Sequence, residues 1–179
     1  MRNLSIFVTS SALLLLFACT PTLNWREVRL ESADGSALKA QLPCKPDAAT
    51  RKQQLAGIQV NLSMMGCVAG EATFTLSRIP LSDPLTAPKV LAAWQAFALS
   101  SLNAPPATVR GINIAGASAW PPTAGVTLAG AATQADIAWF ARQSATGLTL
   151  YQAAMYVKAP VKPISNEAVT TFFESLQIQ

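Results

Sequence analysis

Residues 51–64 read RKQQLAGIQVNLSM and carry the clearest structural signal in the chain. From Ile58 to Met64 every second side chain is apolar, which is the period of a β-strand with one buried face. Ala56-Gly57, directly before this run, is a turn signal that separates it from Arg51 to Leu55. The stretch therefore predicts a β-hairpin.

The same alternation occurs upstream of this hairpin. Val28 and Leu30 alternate with polar residues, Asp34-Gly35 is a turn signal, and Leu38 to Leu42 alternates again. A second hairpin is therefore expected near the start of the folded part of the chain.

Beyond Met64 the apolar positions change phase, to Met65 and Cys67. A shift by one residue moves the side chains to the other face of a strand, and a β-bulge supplies the extra residue that such a shift needs. We therefore expect a bulge here, followed by a turn at Ala69-Gly70 and a strand from Ala72 to Leu76.

Two segments have helical periodicity instead. Apolar residues from Ala87 to Leu102 recur on one helical face, and a closing helix is expected from Ala168 to Leu176, with Ser165 or Asn166 as its cap. Further strands are expected at residues 111–115, 126–131, 135–142 and 148–157. The pattern predicts a single α+β domain over residues 25–179, in which an antiparallel sheet of hairpins and meanders is layered with two helices.

Leu42-Pro43 after an early strand and the closing Phe172-Phe173-Glu174-Ser175-Leu176 resemble positions of the PsbP-like fold of photosystem and lipoprotein relatives. The resemblance spans most of residues 25 to 178 through the order of the elements. It implies an αβα sandwich. Because PsbP-like domains mostly bind or organise other proteins, it also implies assembly rather than catalysis, and it carries over no functional residue.

The N-terminus has the parts of a secretory signal: a basic residue, an apolar run from Ile6 to Ala18, and a small residue before Cys19. Leu16-Phe17-Ala18-Cys19 resembles the lipobox of bacterial lipoproteins, in which a peptidase cuts before a lipid-bearing cysteine. Residues 1–18 are therefore expected to be a lipoprotein signal peptide, and Cys19 the lipidation site. An ordinary signal peptide followed by a coincidental cysteine is the alternative.

Residues 19–24 are expected to form a lipidated tether that holds the domain close to a bilayer. Five extended residues, Thr20 to Asn24, reach about 17 Å at most. In lipoproteins an aspartate after the cysteine often signals retention in the inner membrane, and Thr20 in that position implies the outer membrane by resemblance. Trp25, at the junction, is expected to pack against the core, with the lipid headgroup region as the alternative.

Cys44 and Cys67 remain once Cys19 is assigned to lipid, and an even pair in an oxidising compartment predicts a disulfide. A hairpin turning at Ala56-Gly57 places residue 46 or 47 opposite Cys67, which brings Cys44 to the same end of the sheet. Two thiols do not complete a structural zinc site, and the chain has no histidine. Met64 and Met65 beside Cys67 are more simply core residues than copper ligands.

We expect no catalytic residue and no cofactor. The absence of histidine excludes serine and cysteine triads and HExxH sites. Ser36 and Lys39 match the S-x-x-K spacing, but on a strand this spacing points them to opposite faces. Asp136, in an apolar strand, is the one carboxylate to inspect for burial, and an outward pairing with Arg142 or Lys158 is the simpler expectation.

Two functions remain open. Residues 19–179 carry 12 basic and 9 acidic residues, a charge too mild and dispersed to indicate nucleic-acid binding. The first hypothesis is a non-enzymatic adaptor that binds an envelope protein through a weakly charged, alanine-rich surface. The second is a carrier or sensor of a lipid or other small hydrophobic ligand. Trp139, Phe140, Tyr151 and Tyr156 are most simply core and sheet-face residues, and an aromatic groove for a partner or an acyl chain is the alternative.

Overall fold

A computed structural model describes residues 23–102, 108–129, 133–158 and 165–179. The strands are β1 (Arg26–Glu31), β2 (Ala37–Leu42), β3 (Asp47–Leu55), β4 (Ile58–Ala69), β5 (Ala72–Leu81), β6 (Thr108–Arg110), β7 (Ala124–Ala129), β8 (Thr133–Ser144), β9 (Gly147–Lys158) and β10 (Gln177–Ile178). The helices are α1 (Ala87–Leu102) and α2 (Asn166–Glu174). The α+β class predicted from the sequence is confirmed.

The strands form two sheets. The larger has seven strands in the order β3-β4-β5-β9-β8-β7-β6, and the smaller has the order β1-β2-β10. All strand pairs within them are antiparallel. The β3–β4 hairpin turns at Ala56 and Gly57, both with positive φ (51° and 79°), as expected for the turn that matches the twist of a two-residue hairpin.

The large sheet has two differently covered faces. On the inner face, the small sheet and α2 cover a core that includes Ala69, Phe74, Leu76, Phe140, Tyr151 and Met155. On the other face, which we call the helix face, α1 covers a core that includes Val60, Leu62, Ile79, Ile137, Trp139 and Leu150. The sheet is therefore the middle layer of the domain.

The bulge expected after Met64 is wrong. The register of β3–β4 is unbroken from Leu55 opposite Ile58 to Asp47 opposite Gly66. The β4–β5 register is equally continuous. The phase changes because coverage changes: β4 buries Val60 and Leu62 on the helix face and then Ala69 on the inner face.

The helices begin where capping groups allow. A 3-10 turn, Pro84–Thr86, leads into α1, and the Asp83 carboxylate accepts a hydrogen bond from the backbone N–H of Leu85. The bounds of α1 match the predicted helix. The N-cap of α2 is Ser165, whose hydroxyl accepts from the N–H of Ala168, so the helix starts two residues earlier than predicted and ends at Glu174.

Three other sequence assignments differ from the structure. Residues 111–115 are not a strand and contribute only one bridge, between Ala115 and Gln177. The neighbouring strand is β6, three residues upstream. β3 begins at Asp47, before its predicted start, and β10 was not predicted. β10 has only two residues, too few for a periodicity signal.

Candidate binding surfaces

The tether meets the domain beside the start of β1. Cys19 and the rest of residues 1–22 lie outside the described residues, so the predicted signal peptide and lipidation stay predictions. The N–H of Asn24 donates to the carbonyl oxygen of Pro43 at 2.7 Å. The half-buried Trp25 ring meets Phe74 edge-on, 6.1 Å between centroids, which confirms the packing expected from the sequence.

The predicted disulfide between Cys44 and Cys67 is present. Their Cα atoms are 5.9 Å apart. Asp47 pairs with Gly66, so continuing the same register places residue 46 opposite Cys67. Cys44 is two residues before residue 46, as the hairpin argument requires. The bond joins the connection between β2 and β3 to the end of β4, the strand next to the edge of the large sheet. It also means that Cys67 is not a thiolate ligand beside Met64 and Met65.

β3 is a long, exposed strand at one edge of the large sheet. In the part of the chain that the structure describes, it pairs only with β4. All of its residues except Gln53 and Leu55 are exposed. An edge of this kind presents a row of N–H and C=O groups that another strand can pair with.

Hairpin geometry identifies which groups of β3 face outward. In a two-residue hairpin the pair next to the turn, here Leu55 and Ile58, exchanges its hydrogen bonds, and the pairs then alternate. Ala48, Thr50 and Lys52 therefore direct their N–H and C=O away from β4. The hydroxyl of Thr50 donates to Ser63 at 3.0 Å across the pair, which agrees with the close side-chain approach of a non-hydrogen-bonded position.

An apolar groove crosses the helix face where α1 does not cover it. Two adjoining depressions of about 350 Å³ and 380 Å³ share Val68 and Thr73 in their walls. The first is also lined by Ala49, Met64 and Gly66, and the second by Leu102, Tyr156 and Lys158. The groove ends close to the turn between β4 and β5.

A hydroxyl-rich cup lies at the opposite end of the sheet. It has a volume of about 310 Å³ and is lined by the β1–β2 turn, the end of β5 and the β8–β9 turn. The hydroxyls of Ser32 and Thr149 are 3.3 Å apart, and Ser36 donates to the Asp34 carboxylate at 2.7 Å. The Ser36 hydroxyl also lies 3.5 Å from the Tyr151 hydroxyl.

Two groups at this cup have displaced pKa values. The hydrogen bond from the Ser36 side chain lowers the pKa of Asp34, against the opposing effect of burial. Burial raises the pKa of Tyr151. Both groups are therefore displaced away from neutrality, whereas an efficient general acid or base has a pKa near the working pH.

Ser36 and Lys39 do not form a catalytic pair. Lys39 is on β2, where its ammonium group lies 2.7 Å from the Glu27 carboxylate. Ser36 contacts Asp34 instead. Each of the two side chains thus has another partner, as expected if the strand period separates them.

Asp136 is half-buried on β8. Its carboxylate accepts a hydrogen bond of 2.6 Å from the hydroxyl of Thr127 on β7. Of its two expected partners, Arg142 donates to the carbonyl oxygen of Gly116 at 2.9 Å, and Lys158 is exposed at the end of β9.

The aromatic side chains singled out in the sequence are mainly core residues. Trp139, Phe140 and Tyr151 are each at most 1% exposed. Tyr156 is half-buried and is the one that lines the groove. Burial raises its pKa.

Sequence reasoning missed a row of buried polar groups under the helix face. Ser77, Gln152 and Trp139 are neighbours across three central strands, and all are buried. Trp139 Nε1 and Gln152 Nε2 have no hydrogen-bond partner within the described part of the chain. Only the strand register brings them together, so no local sequence signal could have found them.

Two kinds of feature are absent from the described residues. No three His, Cys, Asp or Glu side chains there are grouped as a metal site would require. No helix among those same residues has the length and apolar character needed to cross a membrane. Comparison of the chain with protein-family models, curated proteins and solved structures found no significant match.

Proposed function

We propose that this protein is a lipid-anchored lipoprotein of the bacterial envelope whose domain binds another envelope protein without catalysing a reaction. The anchor is the lipid on Cys19, and Thr20 favours the outer membrane with the domain in the periplasm. The disulfide between Cys44 and Cys67 supports an oxidising compartment.

The observation that carries the proposal is the edge position of β3, which pairs only with β4 among the described residues. Its outward N–H and C=O groups suit a partner that adds an extended strand to the sheet, a common mode of peptide recognition. Arg51 and Lys52 flank this edge on opposite faces, because successive side chains alternate. We therefore propose that the added strand is acidic.

The layered arrangement, with a middle sheet between α1 on one face and α2 with the small sheet on the other, supports the finer proposal of a PsbP-like domain. That resemblance favours the same function, because such domains mostly bind or organise other proteins.

The test is site-specific photocrosslinking in intact cells, with the crosslinker at position 54 on the outward edge of β3. Lys52→Pro removes an outward N–H without removing a β3–β4 hydrogen bond, and Lys52→Ala removes only the charge. We expect Lys52→Pro to abolish the crosslinked adduct and Lys52→Ala to retain most of it. Adducts of equal yield in both variants would show that β3 does not accept a strand.

The second candidate function, binding of a hydrophobic ligand, has support from the groove. Its two depressions have the volume of small-molecule sites and an apolar lining that includes Met64, Val68 and Leu102. A fluorescent fatty acid titrated into the purified protein tests it. Saturable binding that Met64→Lys eliminates would favour this function, and binding unaffected by that change would locate the ligand elsewhere.

A further inference from the structure

The large sheet has two distinct ends, and the tether enters at only one of them. Asn24 is hydrogen-bonded to Pro43, and Trp25 packs on Phe74, two residues beyond the start of β5. The β4–β5 turn at Gly70-Glu71 lies at this same end, which we call the anchor end. The far end contains the Ala56-Gly57 turn and the hydroxyl-rich cup.

Because the strands are longer than the tether, the two ends differ in how closely they can approach a bilayer. β5 has ten residues and spans about 34 Å at ~3.4 Å per residue. The tether from Thr20 to Asn24 reaches about 17 Å when fully extended. A lipid on Cys19 therefore keeps the anchor end next to the membrane.

An apolar side chain is exposed at the anchor end. Val68 is 67% exposed. It is opposite Thr73 in the β4–β5 hairpin, one residue pair away from the pair that is next to the turn. Nearby exposed charges balance: Lys45 and Lys158 are cationic, and Asp47 and Glu71 are anionic. The surface is therefore apolar at its tip and carries no net charge from these four groups.

We propose that the anchor end rests on the bilayer, with Val68 inserted at the level of the lipid acyl chains. The proposal rests on acylation of Cys19. A single valine binds membranes weakly by itself, but the tether makes its contact intramolecular and thereby raises its effective concentration at the surface. Since the surrounding charges balance, the contact does not require anionic lipid.

This orientation also places the other surfaces. The apolar groove, which shares Val68, opens beside the membrane. The hydroxyl-rich cup faces away from it, toward the aqueous compartment. The start of β3 is near the bilayer, and its turn at Ala56-Gly57 points away.

The test uses the acylated protein in phosphatidylcholine vesicles whose acyl chains are brominated. An environment-sensitive fluorophore is attached at Val68→Cys or, as a matched control, at Leu85→Cys. Leu85 is also an exposed apolar residue, 86% exposed, but lies at the far end after β5. The introduced cysteine is the one free thiol, because Cys44 and Cys67 are bonded to each other and Cys19 carries lipid.

We expect the bromine atoms to quench the fluorophore at position 68 at least twofold and to leave position 85 unchanged. Equal quenching by bromine at both positions, in protein that floats with the vesicles, would overturn the docking and leave the anchor intact. Protein that does not float with the vesicles would overturn the anchor and the docking together.

Discussion

The inner face of the large sheet is closed over its central strands, whereas the helix face is partly open. On the inner face the small sheet and α2 pack a chain of aromatic rings in which Phe74 and Phe172 lie 5.4 Å apart and Phe172 and Phe173 lie 4.9 Å apart. On the helix face a single helix covers part of the sheet, and the groove lies where that cover ends.

Buried side-chain nitrogens without a partner among the described residues occur on both faces. Trp139 Nε1 and Gln152 Nε2 lie under α1, and Arg78 Nε lies on the inner face, where Arg78 is opposite Tyr151. Each buried donor of this kind costs about 1–3 kcal/mol. The two faces therefore differ in how far they are covered, and the helix face is where the fold leaves surface for binding.

The largest effect is expected on the closed face. Phe74 is fully buried among aromatic rings, so Phe74→Ala should lower the free energy of unfolding by about 3–5 kcal/mol. Val68→Ala, on the same hairpin but 67% exposed, should change it by less than about 0.5 kcal/mol. Urea denaturation of both variants measures the difference, and similar losses would contradict the division into two faces.

Removal of the disulfide should have the next largest effect. Replacing both Cys44 and Cys67 by alanine opens a loop with a sequence separation of 23 residues. The chain-entropy model gives a loss of about 3 kcal/mol. Thermal unfolding of the double variant against wild type, repeated with reductant, tests this: reductant should lower the Tm of wild type only.

Gly66→Ala tests how closely β4 and β5 are packed at the floor of the groove. A Cβ at this position would lie 2.6 Å from the carbonyl oxygen of Phe74, a backbone atom of the adjacent strand. We expect the strands to separate locally and the free energy of unfolding to fall by about 1–3 kcal/mol. Gly35→Ala is an unsuitable control because Gly35 has positive φ, but Gly111→Ala, with open space around it, should be close to neutral. A neutral Gly66→Ala would show that the groove floor adapts freely.

Gln152→Met should stabilise the protein. The substitution keeps the side-chain volume and removes a buried N–H that has no partner in the described structure. We expect a gain of about 1 kcal/mol in the free energy of unfolding, measured by urea denaturation. A loss of that size would mean that the Gln152 side chain has a hydrogen-bond partner in the folded protein.

The smallest effect concerns Tyr151 at alkaline pH. Burial raises its folded-state pKa above the ordinary value of 10.0, so the folded protein favours the neutral phenol. The resulting stability is fully present below pH 10 and is lost as the pH rises through the folded-state pKa. Because hydrogen bonds with Ser36 and Ser32 oppose the effect of burial, we expect a loss below about 1 kcal/mol. Tyr151→Phe should flatten that part of the stability profile between pH 9 and 12, and an unchanged profile would contradict the assignment.

Local signals predicted much of the fold. The hairpin of β3 and β4, its turn at Ala56-Gly57 and the span of α1 follow from periodicity, and the disulfide follows from the hairpin register. These elements are encoded within a few residues of each other. The two-residue strand β10 and the exposed start of β3 have no such signal, because an edge strand with polar residues on both faces has no apolar period.

The candidate surfaces were less predictable. Alternation in β4 shows that the strand has two faces, but it does not show which elements cover them. From the sequence, the change in the phase of the apolar side chains after Met64 therefore suggests a bulge. In the structure, it marks the point along β4 where the buried face changes from the one that α1 covers to the one that the small sheet covers. The groove around Val68 and the buried pair of Trp139 and Gln152 depend on the same long-range packing.

The sequence by itself determined the α+β class, the pairing of Cys44 with Cys67 and the prediction of a lipid anchor at Cys19. These follow from residue types and short spacings, which act through local backbone geometry. Only the tertiary structure decided that β3 is the edge strand of the described sheet, that one face is closed over its central strands and the other partly open, and that the tether and Val68 share one end. Strand order and layer contacts join residues far apart in the chain, and no local period encodes them.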